Sequence, residues 1–551
     1  MNNGAESITG QINMEYRKPT DEKPLFLNAS VMNDTKTDFN IASSLQMGEK
    51  WSTVLLGHVS GNFRTFDHNH DGFMDDPEMF QVNVANRWLY YGPTGVQVRF
   101  GLRALQDMRK GGQSGYDHKK YTLSSTSPWG SDIVNRQLNT YVKVGVPISA
   151  DNAKNIAFVA DYTLTDMNLR AGASKYLATQ NSGFFNVLFQ DEINDSHKFT
   201  LALGGTADWF SEDFMRKVAA QKLDPGKTFK AFYNAGVSGE YTFHAGEKFS
   251  SILGFRGDWF NGEGFKAVPR LTLKYSPLEQ IVLRANGGRG LRRALPVIDN
   301  IGVLSTGKAF TGAYSDHLLE DAWTFGGNAT FYLPFGASDD TYLSFDYFGT
   351  RFAEQMVVDY EHGLNAIDFY ALGGKRSYSN NYQVDFNVEA FRRFTVSATF
   401  RYTDAKVELE GRGLVERPMT SRYKGVLNLQ YATNLNKWIF DFTASVNGKS
   451  RVYEFMKGLR GDDGELLYKD GYTPVYPLLY LQVTKRFKGV DLYLGAENLT
   501  NFRQKNVVIG TAIEGMSGHV DASRPDFDAS AVWGPIMGTK FYLGARFTLW
   551  K

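Results

Sequence analysis

Apolar and polar residues alternate with a period of two through most of this chain. Among the closing residues, Phe541, Leu543, Ala545, Phe547 and Leu549 share one face, and Lys540, Tyr542, Gly544, Arg546 and Thr548 share the other. Side chains alternate across an extended strand, so this is an apolar face backed by a polar one. Residues 96–106 repeat the pattern, with Val96, Val98, Phe100, Leu102 and Ala104 against Gln97, Arg99, Gly101 and Arg103. So do Leu343, Phe345 and Tyr347 against Ser344 and Asp346, and Trp438, Phe440, Phe442, Ala444 and Val446 against Asp441, Thr443, Ser445 and Asn447. The pattern predicts strands at 25–32, 38–46, 51–65, 81–91 and 96–106, and the same rhythm then runs to the end of the chain.

Short turns fall near 48–50, 91–94, 150–154, 195–197, 245–248, 277–280, 336–340, 391–393, 434–437 and 488–490. Between them lie longer connections, such as 108–135, 296–322, 453–475 and 503–537. Short turns on one side and longer loops on the other are the signature of a transmembrane barrel, here of about 22 antiparallel strands with both termini on the short-turn side. A final strand paired with the first would close the wall and leave no edge. The soluble alternative, a propeller, would repeat every ~40 residues with a blade signature, and none is found. The expected fold class is therefore all-β, a transmembrane antiparallel β-barrel spanning residues 21–551.

Composition agrees. The chain has 551 residues with 41 Phe, 29 Tyr and 55 Gly but only 16 Pro, and its mean hydropathy is -0.34. A helical membrane protein would be far more apolar and would carry runs of ~18 or more apolar residues, which are absent. Six tryptophans, Trp51, Trp88, Trp209, Trp259, Trp438 and Trp550, lie near predicted strand ends, where an interfacial aromatic girdle belongs. A net charge of +1 supplies no bulk field for nucleic acid, and the absence of cysteine removes disulfides, thiolate metal sites and thiol nucleophiles. Nothing supports catalysis: no Gly-x-Ser-x-Gly elbow with partners and no HExxH is present. No apolar leader opens the chain.

The sharpest local motif runs from Asp67 to Glu78. Asp67, Asn69, Asp71 and Asp75 offer oxygens, Phe73 a backbone carbonyl, Gly72 a turn and Glu78 a bidentate carboxylate, at the twelve-residue spacing of a calcium loop. It lies between two strands, in the second outer loop, and the expectation is a structural Ca2+ there. The alternative is a solvated acidic turn, because Asp, Asn and Gly are ordinary turn residues. Asp462, Asp463 and Glu465 read as a solvated turn. His68 and His70 occupy slots that point away from such an ion, so they are expected to be exposed. Arg284, Arg289, Arg292 and Arg293, with Gly287, Gly288 and Gly290, would place guanidinium groups toward an anionic ligand, or else pair with a plug filling the lumen or with lumen carboxylates such as Asp346 and Asp441. His317 and His519, in long outer loops, are further ligand candidates.

Four segments resemble the TonB-dependent outer-membrane receptors, most closely those of the Bacteroidetes type. Residues 4–19 (GAESITGQINMEYRKP) are similar to the end of the family's plug. PRLTLKY at 269–275 with GGRGLRR at 287–293 resembles its mid-barrel strand pair. ENLTNFRQ at 497–504 resembles its penultimate-strand motif, and VWGPIMGTKFYLGAR at 532–546 its closing strand. The resemblance implies import of a scarce, bulky nutrient (siderophore-iron, cobalamin, haem or similar) by a monomer in outer-membrane lipid of a Gram-negative bacterium. Calcium in an early outer loop tilts the family resemblance toward a corrinoid. The family's signal peptide, TonB box and most of its plug would precede Gly4. Residues 1–20 are thus expected to be a plug remnant, and TonB–ExbB–ExbD would act only through the missing plug. Such a truncated barrel would not transport actively alone and would leak. The alternatives from other classes are a passive plugless diffusion pore and a calcium-stabilised surface-binding barrel.

Overall fold

The computed structural model describes residues 6, 8, 16–20, 23–123, 128–149, 153–363, 365–461, 463–510 and 520–549. His519, Asp462, Trp550 and most of the 4–19 segment lie outside them. A continuous sheet of 24 strands forms the wall, two of them short (Gln221–Leu223 and Gly413–Glu416) and belonging to loops, which leaves 22 in the barrel. Every neighbour pair in this wall is antiparallel, and the first strand, Leu25–Met32, pairs with the last, Lys540–Leu549, from Leu25↔Leu549 to Met32↔Tyr542. The barrel is closed, as the alternation predicted.

The alternation becomes a radial division of labour. Leu201, Leu203, Val237, Leu253, Leu271, Phe325 and Phe345 are all exposed on the outer wall. On the same strands Thr200, Asn234, Ser238 and Ser344 are buried. An apolar belt outside and a polar lining inside define a membrane barrel. Aromatic residues mark the belt's edges. On the short-turn side, Trp51 packs on Tyr90 at 4.8 Å and edge-on to Trp88 at 6.4 Å, and Trp438 stacks on Phe440. On the loop side stand Trp209, Trp259 with Tyr233, and Phe265. Trp209 is not at a strand end, contrary to expectation. Its strand, His197–Val218, has 22 residues and is roughly 70 Å long at a strand's rise per residue. That far exceeds the ~30 Å hydrocarbon layer, so the strand continues well above the membrane.

Several outer strands likewise run further than the sequence suggested. Gln97–Gly112 and Gly130–Pro147 shorten the expected 108–135 loop. The rim is uneven: strands 18 to 22 residues long between Gly130 and Val218 stand on one side, and strands of 8 residues at Leu25–Met32 and Val490–Glu497 on the other.

The closing seam is tightened by reciprocal glycine–tyrosine contacts. Tyr493 lies opposite Gly544 and Gly495 opposite Tyr542 in the ladder. A Cβ on Gly544 would sit 2.2 Å from the Tyr493 ring, so the ring uses the space a side chain would take. Tyr493 Oη also donates to Asn28 Oδ1 at 2.8 Å, carrying the seam into the first strand. Lys540 adds ion pairs to Asp34 at 3.0 Å and Asp76 at 2.9 Å in the first two outer loops. Gly544→Val should therefore cost about 1–3 kcal/mol by overpacking. The measurement is the temperature at which the folded band disappears in heat-modifiability gels, and it should fall. Pairing it with Tyr493→Ala should recover part of the loss; an unshifted Gly544→Val transition would contradict this packing.

Candidate functional site

The outer loops pack on one another, and the described parts of the last of them, residues 498–510 and 520–539, reach across the mouth. Its Val520, Ala522 and Phe527 pack against Phe73 of loop 63–77 and Trp129 of loop 113–129. Ser523 O accepts from Ala219 N at 2.9 Å, and Phe527 O accepts from Gly307 N at 2.9 Å. Ile509 and Ala531 pack against Val452, Met456 and Tyr468 of loop 448–475. Rooted on the low side of the rim, these described parts touch loops on several sides of the opening.

Beneath and beside it the loops build their own core. Ala309–Gly312 pairs parallel with Ala366–Ala371, which pairs antiparallel with Met356–Asp359. The hub is Arg216, fully buried at the top of its strand. Its Nη1 donates to Ser174 Oγ at 2.6 Å, its Nη2 to the carbonyls of Thr306 and Lys308 at 2.6 Å each, and its guanidinium lies over the Phe310 ring. A planar donor fork suits this arrangement, because it satisfies several carbonyls from one rigid group.

A second, charged lattice joins loops 355–376, 410–422 and 448–475. Arg451 binds Glu361 bidentately at 3.0 and 2.7 Å, and Arg412 adds Nη1 to Glu361 at 3.2 Å and Nη2 to Asp359. Burial alone would raise the Glu361 carboxyl; the Arg451 pair, the Glu454 amide and Arg412 outweigh it and hold it below its ordinary range. Arg422 grips Glu416 at 2.7 Å through two nitrogens, and Tyr472 Oη donates to the same carboxylate at 3.0 Å.

Between these loops lies a cavity of about 490 Å³ lined by Tyr360, Tyr378, Arg417, Met419 and Tyr453 among others. A smaller one of about 270 Å³ adjoins it and shares Asn300, Phe352, Gln355, Met356 and Arg417. Tyr360 stacks on Tyr453 at 5.2 Å, and Tyr453 on Phe455 at 5.3 Å. Burial pushes both tyrosine hydroxyls up, so they stay protonated donors. Arg417 is exposed at the junction and has no ion pair among the described residues. The vestibule thus offers an unpaired cation beside stacked aromatic faces. No sequence motif pointed to Arg417, Tyr360 or Tyr453.

The predicted candidates are distributed differently. The ladder between Gly264–Leu278 and Ile281–Arg293 stops at Arg270↔Gly288. Above that point Arg289 bridges the gap, donating Nη1 to Ala267 O at 3.0 Å and Nε and Nη2 to Asp321 at 2.9 and 2.5 Å. Arg293 reaches Glu263 at 3.1 Å and the His317 carbonyl at 3.0 Å, and Arg292 pairs with Asp299 and Glu320. Arg289, Arg292 and Arg293 are thus neutralised by neighbouring carboxylates. They are not Asp346, which accepts from Asn328 and Ser344, nor Asp441, which accepts from Gln430. Arg284 donates to Asn328 at 3.0 Å. His317 sits between Phe210 and Phe232 with Lys230 Nζ 2.9 Å from its Nδ1. Burial, helped by Lys230 and Arg293, pushes its imidazole down to about 4, so it is neutral at pH 7.

In loop 63–77, Asp67 accepts from the amides of Asp71 at 3.1 Å and Gly72 at 3.0 Å, while Asn69 Nδ2 donates to Asp71 at 2.8 Å. Gly72, at φ 83, makes the left-handed turn expected of it. Asp75 instead accepts from the His68 amide at 2.8 Å and faces His68 Nδ1 at 2.9 Å, while His68 and His70 are both exposed, as expected. Glu78 pairs with Lys110 at 3.0 Å and accepts from Thr65. The Phe73 side chain is buried under loop 498–539. Among the described residues, no three carboxylate or imidazole groups converge as a metal site.

No protein-family model matches this chain, and no curated protein matches it. Solved structures do match. The ferric-catecholate import receptor Fiu from E. coli K12 superposes with a TM-score of 0.65 at 11% identity, covering 96% of this chain and 82% of that one. The siderophore receptor PirA from Pseudomonas aeruginosa gives 0.59 at 11% identity, covering 95% and 80%. P. aeruginosa FpvA, in a complex with a pyoverdine, gives 0.67 at 10% identity, covering 97% and 72%. The fold is therefore that of solved siderophore receptors, which are import receptors and not enzymes.

Proposed function

We propose that this chain is the barrel of an outer-membrane receptor for uptake of a scarce, bulky nutrient bearing an anionic group, a siderophore–iron complex in the first instance. Arg417 is the observation that carries the reading. Among the described residues it is a guanidinium without an ion pair, placed where two cavities meet under the loops and flanked by Tyr360, Tyr378 and Tyr453. Such a group holds an oxyanion, while the aromatic faces hold the organic body of the ligand. The structural likeness to import receptors supports the same reading. Energy coupling through TonB, and a monomer of the Bacteroidetes type, belong to it as well, on the strength of the terminal-strand resemblance. A free diffusion pore fits less well, because residues 504–510 and 520–533 pack over the mouth against several other loops.

The test uses the refolded chain in detergent with a ferric tris-catecholate complex, followed by tryptophan quenching. Arg417→Ala should weaken binding about tenfold, or about 1.4 kcal/mol. Binding that is absent in the wild type, or equal in the variant, would remove Arg417 from the site.

We propose separately that loop 63–77 takes calcium through Asp67, Asn69, Asp71, the Phe73 carbonyl, Asp75 and Glu78. The Gly72 turn and the double acceptance by Asp67 favour it, since they already gather the first three side chains. Occupancy requires Asp75 to leave His68 and Glu78 to leave Lys110. Removing that competing cation with Lys110→Gln should therefore tighten calcium severalfold in a terbium-displacement titration. Asp67→Ala with Asp71→Ala should abolish binding. Failure of wild type and Lys110→Gln alike to displace terbium with millimolar calcium would end this reading.

A further inference from the structure

A second cluster of cations lies inside the barrel, far from the vestibule and on the short-turn half of the wall. Arg87, Arg99, Arg103 and Lys143 project into the lumen from the three consecutive strands Glu78–Tyr91, Gln97–Gly112 and Gly130–Pro147. The ladder sets Arg99 directly opposite Lys143, and Arg103 opposite Asn139. Like charges facing each other across a ladder destabilise a sheet unless something neutralises them. Like pairs recur in this lumen at Lys274↔Arg284 and Arg401↔Lys424. The Arg99–Lys143 pair lines a cavity with several further donors.

That cavity measures about 430 Å³. Tyr16, from the segment preceding the first strand, closes its inner side and is held there by the wall. Arg87 Nη1 donates to the Tyr16 and Arg17 carbonyls at 2.8 Å each, and its Nε donates to Tyr141 Oη at 2.9 Å. Arg103 Nη1 donates to Tyr16 Oη at 3.2 Å and its Nε to Asn83 at 3.2 Å. Arg99 makes one side-chain hydrogen bond among the described residues, to Gln97 Oε1 at 3.2 Å. None of the four cations pairs with a carboxylate among the described residues. Asp161 is the one carboxylate on the cavity, and it is occupied by Asn139 at 2.8 Å and Thr163 at 3.2 Å. Arg99 and Lys143 are exposed to the lumen. Two of the cations, Arg87 and Arg103, thus hold the Tyr16 segment, while Arg99 and Lys143 stay exposed.

We propose that this cavity is an anion-binding site of the lumen, built for a small oxyanion carrying two or more negative charges, of the polycarboxylate or phosphate kind. Arg99 and Lys143 neutralise it from adjacent strands, Arg103 and the Tyr16 hydroxyl supply donors, and Arg87 fixes the Tyr16 segment that closes the site. The site lies near the turn-side ends of its strands. It does not depend on what the vestibule binds.

Citrate and inorganic phosphate are the probes, titrated calorimetrically into the refolded full chain in zwitterionic detergent at low salt. Citrate should bind, and raising the salt should weaken it, as expected for an exposed charge pair. The double variant Arg99→Gln with Lys143→Gln should lose tenfold or more in citrate affinity. Asp161→Asn, which removes the opposing charge, should gain severalfold. Retention of the heat-modifiable folded band in each variant separates loss of site from loss of fold. Absence of heat with both probes, or citrate affinity unchanged in the double variant and in Asp161→Asn, would overturn the assignment.

Discussion

A chain that crosses hydrocarbon cannot leave backbone N–H and C=O groups unpaired, because no water is there to receive them. In this protein that constraint is met by closing the ladder from Leu25↔Leu549 to Met32↔Tyr542. Closure explains why the seam is so heavily furnished, with Tyr493 and Tyr542 lying over glycines and Lys540 tying two loops to the last strand. It also explains Arg289. Where the ladder lapses above Gly288, a guanidinium takes over the missing contacts and spans to Ala267 O and Asp321. The basic run of that strand serves the wall before it serves any ligand.

With the wall self-sufficient, the loops are free to be specific. They are ordered by a few desolvated polar groups: Arg216 gathers loop carbonyls, and Glu361 gathers Arg451 and Arg412. Breaking one partner of a buried pair leaves a stranded charge, so these hubs hold the loops in one arrangement. The vestibule and the lumenal cavity are what that arrangement leaves open. Each presents at least one cation without a carboxylate partner among the described residues, and the two proposals rest on that.

The wall was legible in the sequence and the loops were not, for one physical reason. Lipid on one side and polar lumen on the other impose a period of two on every strand, so Phe541 to Leu549 could be read without their neighbours. Loop structure depends on partners far apart in the chain, such as Arg216 with Thr306 or Glu361 with Arg451, 90 residues apart for each pair. No local pattern announces them. Spacing did find the Asp67 turn, whose hydrogen bonds are local, yet it missed the capture of Asp75 by His68 and of Glu78 by Lys110. Trp209 was misplaced because its strand overshoots the membrane.

The orientation of the barrel tests the account most directly, and the absence of cysteine from the native chain makes the measurement clean. Lys469→Cys lies in outer loop 448–475, and Leu435→Cys at the tip of the opposite turn, 84% exposed. Whole cells treated with a membrane-impermeant maleimide should label Lys469→Cys, and should label Leu435→Cys only after the outer membrane is permeabilised. Labelling of Leu435→Cys in intact cells, or equal labelling of both positions before permeabilisation, would contradict a closed barrel spanning the outer membrane with its vestibule facing out.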